Sequence, residues 1–289
     1  MNAVNSGLLN RRASRKKIVF RVVHYAALAV IVVILLFPYV FMVNKSLMDI
    51  VDINSVPVRF FPSALHFENY GIVYQYFAYI GNTLVVCLIN GFFIPLTGCL
   101  VAFPLARYQF VGKKIFFAIL MSTVMIPGAI TQVPVYVMYS RLGLVNKVAS
   151  QWVGAFFGGS AMSIFLIVQF IRGIPKEMDN AAYIDGANKL HIFFMLVLPL
   201  CRNVFIYTAV TTVMGKWSDF QGPLIYITAE EKYTMAVAFY YEFFTDDLSV
   251  LFSHRAMAMA AFMTLVPMAL FFCFQKMMIG GVKMGALKG

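Results

Sequence analysis

Residues 176–200 read KEMDNAAYIDGANKLHIFFMLVLPL, a polar run inside a chain whose residues are 61% hydrophobic. Pro175, just before this run, suits the first turn of a helix, because its missing N–H would be unpaired there anyway. The carboxylates of Glu177 and Asp179 favour the positive N-terminal end of such a helix. Gly186 readily adopts the left-handed conformation that ends a helix. The pattern therefore predicts a short helix that stops at Gly186.

A second helix is predicted after this glycine. Residues 187–198 form an amphipathic piece, and Pro199 then opens the next apolar stretch. In the first helix, Met178, Ala181 and Ala182 stand at positions i, i+3 and i+4, which predicts one narrow face of mostly small residues. Small side chains let a partner surface approach closely. The whole run is therefore predicted to be a helix–glycine–helix element that docks on another protein.

The composition of the chain predicts that the bilayer is its solvent. Only 12% of its 289 residues are charged, against about a quarter in soluble domains, and the mean hydropathy is +0.81. A span needs about 20 apolar residues, and the third candidate is interrupted by Pro127, Gly128 and Pro134. We predict an all-α integral membrane protein that forms a single domain over residues 1–289. Its six predicted spans are residues 22–43, 81–106, 115–139, 149–171, 199–215 and 256–274.

The basic residues are distributed unequally between the segments that connect these spans. The net charge is +11, and if the N-terminus is cytoplasmic, the inner segments hold most of the Lys and Arg residues but few acids. This asymmetry is typical of a membrane protein with both termini in the cytoplasm, and it explains the basicity without any nucleic-acid partner. The predicted cytoplasmic segments are 1–21, 172–198 and 275–289, and the predicted outer loops are 44–78 and 216–255.

The cores of the six predicted spans contain no Asp, Glu, Lys, Arg or His. Transporters driven by protons or sodium usually keep ionisable groups near the bilayer middle, so this pattern disfavours such a transporter. The polar side chains that remain are uncharged and suit a neutral, hydroxyl-bearing cargo. Gln132 and Tyr136 stand four apart and share a helical face, and we predict that they line the substrate path with Asn90. The alternative is that each of them hydrogen-bonds between packed helices.

Sequence motifs of common catalytic sites are missing. No GxxxxGK[ST] phosphate loop, HExxH zinc motif or GxSxG nucleophile motif occurs. The four cysteines lie in or beside apolar stretches without CxxC spacing, as small buried hydrophobic residues do. We therefore predict no catalytic, metal or cofactor site in this chain, so uphill transport needs energy from another subunit. A stand-alone secondary transporter, a channel or a membrane-bound enzyme is the alternative.

The run Ala181-Ala182-Tyr183-Ile184-Asp185-Gly186-Ala187, followed by Leu198-Pro199, closely resembles the EAA loop of ABC-importer permeases. In that family the motif reads E-A-A-x-x-D-G and, after about a dozen residues, ends in a hydrophobic-Leu-Pro sequence. The resemblance is greatest to the binding-protein-dependent carbohydrate permeases of the maltose type and covers nearly the whole chain. Further matching points are Ala106-Arg107-Tyr108, Met125-Ile126-Pro127, Trp217 with Pro223-Leu224-Ile225, and the tail GGVKMGALKG.

The resemblance implies a fold like that of ABC type I importers and a function that depends on other subunits. These are a second, homologous permease, a cytoplasmic ABC ATPase dimer that binds ATP and Mg, and an extracytoplasmic sugar-binding protein. The chain would be a multi-pass protein of the cell membrane, in contact with lipid. Its loop would dock in a cleft on the ATPase, and its tail would lie against the same subunit. The coupling residues implied are Glu177, Asp179, Asn180, Ala181, Ala182, Asp185 and Gly186.

Two positions depart from the family pattern. The glutamate that stands six residues before the glycine is replaced by Asn180, which can hydrogen-bond but brings no charge. The tie to the ATPase is therefore expected to be weaker, or to be shifted to Asp179. The usual Trp-Asn pair near the fifth span is Trp217-Ser218 here. A nearer alternative keeps the ABC importer and changes its cargo to another small solute, such as an amino acid or phosphate.

Overall fold

A computed structural model describes the backbone of residues 2–244 and 253–286, and the side chains of residues 20–244 and 253–277. These described residues form helices and turns, with no β-strand among them. The predicted all-α class is therefore confirmed. The chain divides into two compact units, one from Met1–Ile72 with Ser249–Ala261 and one from Val73–Leu248 with Phe262–Gly289.

The first unit contains the long helix α1 (Asn2–Ser46), the short α2 (Ile50–Ile53) and a 3₁₀ turn at Phe67–Gly71. Asp52 is buried within it and organises the residues after α2. Its carboxylate accepts the backbone N–H and the hydroxyl of Ser63 at 2.8 and 2.6 Å, and it pairs with Nη1 of Arg59 at 2.7 Å. A buried carboxylate is stable only when it is partnered in this way.

Side chains from the 3₁₀ turn tie this segment to the end of α1. The amide of Asn69 donates to the carbonyls of Ser46 and Met48, both at 2.9 Å. The hydroxyls of Ser46 and Tyr70 lie 2.7 Å apart. The first part of the predicted outer loop 44–78 is therefore a folded, hydrogen-bonded segment.

The second unit is built around α4 (Phe77–Arg107), which packs along both α7 (Ala161–Gly173) and α11 (Arg202–Trp217). Its core is continuous and apolar, and includes Phe103 of α4 and Ile167 of α7. The other α-helices of the described residues, of which α14 begins in the first unit and continues in the second, are α3 (Ile72–Gln75), α5 (Lys113–Thr123), α6 (Gly128–Arg141), α8 (Glu177–Ile184), α9 (Lys189–His191), α10 (Leu198–Leu200), α12 (Gln221–Tyr226), α13 (Met235–Phe243) and α14 (His254–Ala286).

Among the described residues, four helical stretches are long and apolar enough to cross a membrane, and the number rises to six if two bent helix pairs each count as one span. The four are Phe20–Ser46, Phe77–Arg107, Val153–Gly173 and His254–Met277. They overlap the first, second, fourth and sixth predicted spans. α14 is helical through Ala286, so its backbone continues into the glycine-rich tail.

The third predicted span, residues 115–139, is not one helix. It consists of α5 and α6, which meet at an angle of 102°. The break falls at Pro127, which caps α6 in an extended conformation, whereas Pro134 lies within the helix. α6 has 14 residues and is therefore about 21 Å long, shorter than the roughly 30 Å hydrocarbon core. The Pro127-Gly128 pair ends one helix and starts another, so the third predicted span is broken where its sequence is interrupted.

The fourth and fifth predicted spans also differ in detail from regular helices. Residues at the start of the fourth form two 3₁₀ turns, Val148–Gln151 and Val153–Phe157, and the α-helix begins only at Ala161. The helices on either side of Cys201 meet at an angle of 72° in the fifth.

Residues 231–235 of the predicted outer loop 216–255 fold onto the start of α4. The amide of Asn82 donates to the carbonyls of Glu231 and Tyr233 at 3.1 and 3.0 Å. The hydroxyl of Thr83 accepts the backbone N–H of Met235 at 2.9 Å, which holds the start of α13. Residues 245–252 of this loop lie outside the described part of the chain.

Candidate functional site: the helix–glycine–helix segment

The first half of the segment is a helix closed by glycine, as predicted. α8 ends at Ile184, and Gly186 follows with a φ of +85°. The N–H of Gly186 donates to the carbonyl of Tyr183 at 3.0 Å, and the N–H of Ala187 donates to the carbonyl of Ala182 at 2.9 Å. These two bonds form a Schellman motif, which satisfies carbonyls that the end of a helix otherwise leaves unpaired.

The second half differs from the simple amphipathic helix that was expected over residues 187–198. Asn188 caps α9 by accepting the N–H of His191 at 2.8 Å. A π-helix then runs from Ile192 to Val197 before α10. Hydrogen bonds in a π-helix join residues five apart, and Ile192 and Val197, which stand at this spacing, are both buried in the core of the second unit. The segment is thus anchored through its second half.

The two faces of α8 have different surroundings. Asn180 and Ala181 are exposed, and Ile184 leaves 86% of its surface exposed. Ala182 instead packs against the apolar core. The predicted narrow face of Met178, Ala181 and Ala182 is therefore divided: Met178 and Ala181 are open to a partner, and Ala182 holds the helix to its own chain. The tertiary core, which helical spacing alone does not locate, sets this division.

Asp185 occupies the C-terminal cap of α8 and is exposed. A carboxylate is unfavourable at the negative end of a helix dipole, so the fold of α8 does not explain this residue. Asp185 borders a groove of about 390 Å³ whose lining includes Gly186, Asn188 and His191. The groove runs between the two halves of the segment and contains both polar and apolar walls.

Asp179 faces the opposite way, into the chain. Its Oδ2 atom lies 2.8 Å from Nε of Arg107, and its Oδ1 atom accepts Nη2 of the same guanidinium at 3.4 Å. The Nε group makes no hydrogen bond of good geometry, so the contact is chiefly an ion pair. Nη1 of Arg107 donates to the carbonyl of Ile174 at 2.9 Å. Because Asp179 is thus occupied inside the chain, the expected shift of the ATPase tie to this carboxylate does not fit the geometry.

Burial raises the pKa of Asp179 above the ordinary carboxyl value, against the opposing charges of Arg107 and Lys176. The side chain of Arg107 is only 3% exposed, and that of Asp179 is 12% exposed. Removing one partner from a buried ion pair costs about 3–5 kcal/mol, because the other charge is left uncompensated. The pair therefore holds α8 against the end of α4 wherever both charges are present.

Tyr108, which follows Arg107 in the sequence, makes a second connection between the end of α4 and the helix–glycine–helix segment. Its hydroxyl lies 3.0 Å from the hydroxyl of Tyr183 in α8, and Nζ of Lys189 lies 5.1 Å from the centre of its ring. The end of α4 thus contacts both halves of the segment. The position of Arg107 at the end of an apolar span is the signal in the sequence that could have indicated this role.

The three predicted path residues lie in different settings. Asn90 is 2% exposed, and its amide donates to the carbonyls of Val86 and Gln151 at 2.8 and 3.1 Å. Gln132 is half-buried, and Tyr136 is exposed on α6 and stacks on Tyr226 with ring centres 6.4 Å apart. The structure therefore places Asn90 in helix packing, the alternative left open above, whereas Gln132 and Tyr136 remain accessible on α6.

A charged pair that was not predicted from the sequence lies at the end of α11. Nζ of Lys216 lies 2.7 Å from Oδ2 of Asp219, and Oδ1 of Asp219 accepts the N–H of Gly222 at 3.3 Å. The spacing of opposite charges three residues apart was the available signal. Between them, Trp217 donates from Nε1 to the carbonyl of Met263 in α14 at 2.8 Å.

Comparison with known proteins identifies the family of this chain. Residues 94–283 match the family of binding-protein-dependent transport system inner membrane components. The melibiose/raffinose/stachyose import permease protein MelC of Bacillus subtilis is 34% identical over 238 residues, which cover 79% of this chain and 83% of MelC. The diacetylchitobiose uptake system permease protein NgcG of Streptomyces coelicolor is 26% identical over 97% of this chain and 93% of its own.

A solved structure shows the same fold. It is the crystal structure of a bacterial ABC transporter involved in the import of the acidic polysaccharide alginate, which covers 89% of this chain and 95% of its own with a TM-score of 0.78 at 18% identity. Together with the apolar helices, these matches identify a multi-pass membrane protein. The chain belongs to the family of binding-protein-dependent transport system inner membrane components, and it is the permease subunit of an ABC importer.

Proposed function

We propose that this permease imports a sugar or an oligosaccharide. The relatives named above carry melibiose, raffinose, stachyose or diacetylchitobiose in their names, and another is an arabinooligosaccharide transport system permease of Halalkalibacterium halodurans. The uncharged polar residues Gln132 and Tyr136 on α6 support a neutral cargo, since sugars are bound by polar groups and by aromatic faces. The chain forms the path together with a second, homologous permease and receives its cargo from an extracytoplasmic binding protein.

The observation that carries the proposal is the outer face of α8, by which we mean the exposed face that points away from the rest of the chain. Glu177, Asn180, Ala181 and Asp185 are exposed on it, and so is the apolar side chain of Ile184. Met178, Ala181 and Ile184 stand three residues apart and are all exposed, so they form a contiguous apolar strip, and an exposed apolar patch with a polar rim marks a surface that a partner covers. We assign this face to a cytoplasmic ABC ATPase dimer, which binds ATP and Mg, so that this chain supplies no catalytic group of its own.

Orientation follows from the charges. The positive-inside distribution supports cytoplasmic termini and puts α8 on the same side as the ATPase. In this orientation α12 and α13 face outward, where a binding protein delivers the cargo. Apolar side chains such as Leu88 on α4 and Val133 on α6 are exposed in this chain, which supports contact with lipid or with the second permease.

The proposal is tested by purification and by transport. The full chain, tagged and produced with the genes of its transport system, is expected to co-purify with an ATPase and a second permease. Membrane vesicles should accumulate labelled raffinose, an arabinooligosaccharide or diacetylchitobiose only when ATP and binding protein are supplied. Ile184→Glu should release the ATPase, and Val111→Glu, at a fully exposed residue of the turn between α4 and α5, should not. A chain that transports alone would refute the proposal.

A further inference from the structure

Arg107 and Tyr108 lie at the C-terminal end of α4, the helix around which the second unit is built. The lower part of α4 contributes Ala102, Phe103 and Leu105 to the buried core, packed against α7 and the π-helix. A basic side chain at the C-terminal end of a helix is favoured by the helix dipole. The guanidinium of Arg107 therefore sits at the end of a helix whose last turns are packed in the core.

The C-terminal end of α4 contacts α8 at two positions along that helix. Arg107 holds Asp179, and Tyr108 holds Tyr183 at 3.0 Å between hydroxyls. Asp179 and Tyr183 are four residues apart and so lie on one face of α8. Two attachments along a face resist both rotation and tilting of α8 relative to α4, which a single attachment does not.

On its N-terminal side α8 joins α7 through the extended Ile174 and Pro175, and the covalent route on its other side, to α11, is less direct. It passes through the left-handed Gly186, the π-helix Ile192–Val197 and the 72° bend at Cys201 before it enters α11. Irregular points of this kind are where helices flex. A displacement of α8 that travelled only along the chain would be absorbed in part at each of them.

We propose that Arg107 and Asp179 form a positioning link that carries a displacement of α8 directly into α4. This inference rests on the proposed function, because it takes the ATPase as the source of the displacement. The inner face of α8, which contains Asp179, transmits the displacement to α4. The outer face, which contains Ile184, receives the displacement from the ATPase. Tyr108 and Tyr183 steady the contact, and neither touches the cargo or ATP.

The test uses the assembled transporter in proteoliposomes with the sugar that the wild type accumulates. Asp179→Asn and Arg107→Gln are compared by the number of sugar molecules imported per ATP hydrolysed, measured only on complexes that retain the ATPase. We expect ATP hydrolysis to continue and this ratio to fall about tenfold, within the roughly 5- to 150-fold range of ordinary coupling between sites. Asp179→Glu and Arg107→Lys, which keep the charges, should lose less.

Lys114→Gln is the matched control, because it removes a positive charge from an exposed residue near the start of α5. It should keep the wild-type ratio. An unchanged ratio in Asp179→Asn and Arg107→Gln would overturn the inference. Failure of all four variants to assemble would also overturn it, because the pair would then serve folding alone. If the wild type shows no ATP-dependent uptake, the proposed function fails instead.

Discussion

The side-chain amide of Asn90 donates to the main-chain carbonyl of Gln151 at 3.1 Å, which joins α4 to the 3₁₀ turn before α7. The same amide also donates to Val86, one turn back in its own helix. A buried carbonyl that loses its donor costs about 1–3 kcal/mol. Asn90 therefore contributes to the stability of the second unit rather than to an open surface.

Asn90→Ala is expected to lower the stability of the purified chain by about 1–3 kcal/mol, because the Gln151 carbonyl is left unpaired. The measurement is the thermal midpoint of the complex in detergent, together with the sugar preference in uptake. Thr211→Val is the control, since its hydroxyl bonds only to carbonyls of its own helix. A changed sugar preference at unchanged stability would return Asn90 to the substrate path.

Gly186→Val should abolish transport while the chain still inserts in the membrane. The residue has a φ of +85° with open space around the position of a Cβ, so the penalty comes from backbone strain of about 1–3 kcal/mol rather than from a clash. The strain would open the Schellman motif and turn α8 away from its docking position. Uptake and surface amount of the chain are measured together.

Gly186→Asn is the matched control for this change, because asparagine tolerates the left-handed region far better than valine. It should retain most of the uptake. If Val and Asn were equally harmful, the small size of glycine would matter rather than its conformation.

The helix that ends at Gly186 was predictable because its determinants are local. They are a proline before the helix, acids in its first turn and a glycine after its last turn. The inward orientation of Asp179 was not predictable, since its partner Arg107 stands 72 residues earlier. The setting of Asn90 likewise depends on Gln151, 61 residues away. Apolar content predicted the spans, but not the 102° angle between α5 and α6, because apolar content does not specify the direction in which the chain turns at a break.

The first unit should show a pH dependence centred on Asp52. The hydrogen bonds from the hydroxyl and N–H of Ser63, with the Arg59 charge, lower the pKa of this carboxyl below its ordinary value. Its stabilising contribution is therefore present above the pKa of the unfolded chain, about 4, and is lost as the pH falls through the lower folded value.

Hydrogen exchange of peptides from residues 49–63, corrected for intrinsic rates, measures this effect. Asp52→Asn should exchange faster than the wild type at neutral pH, and the difference should shrink as the pH falls below about 4. Peptides from α13 serve as the internal control. A difference that stays constant over the whole pH range would show that the carboxylate charge is not responsible.

Gln132 and Tyr136 are expected to contact the cargo on its way through the membrane. They share one face of α6, and the break at Pro127 exposes backbone of the kind that is tolerated at membrane depth only beside protein or a water-filled cavity. Gln132→Ala and Tyr136→Ala should assemble normally, but should change sugar preference or reduce uptake. The loss of a hydrogen bond to an uncharged group predicts a reduction of about 2- to 12-fold, equivalent to 0.5–1.5 kcal/mol.

Uptake is compared across raffinose, arabinooligosaccharides and diacetylchitobiose at matched amounts of complex. Val133→Ala, which removes an exposed apolar side chain of the same helix, should leave the preference unchanged. Normal transport of every sugar by both variants would exclude this face from the path, and failure to assemble would make it a packing surface for the second permease.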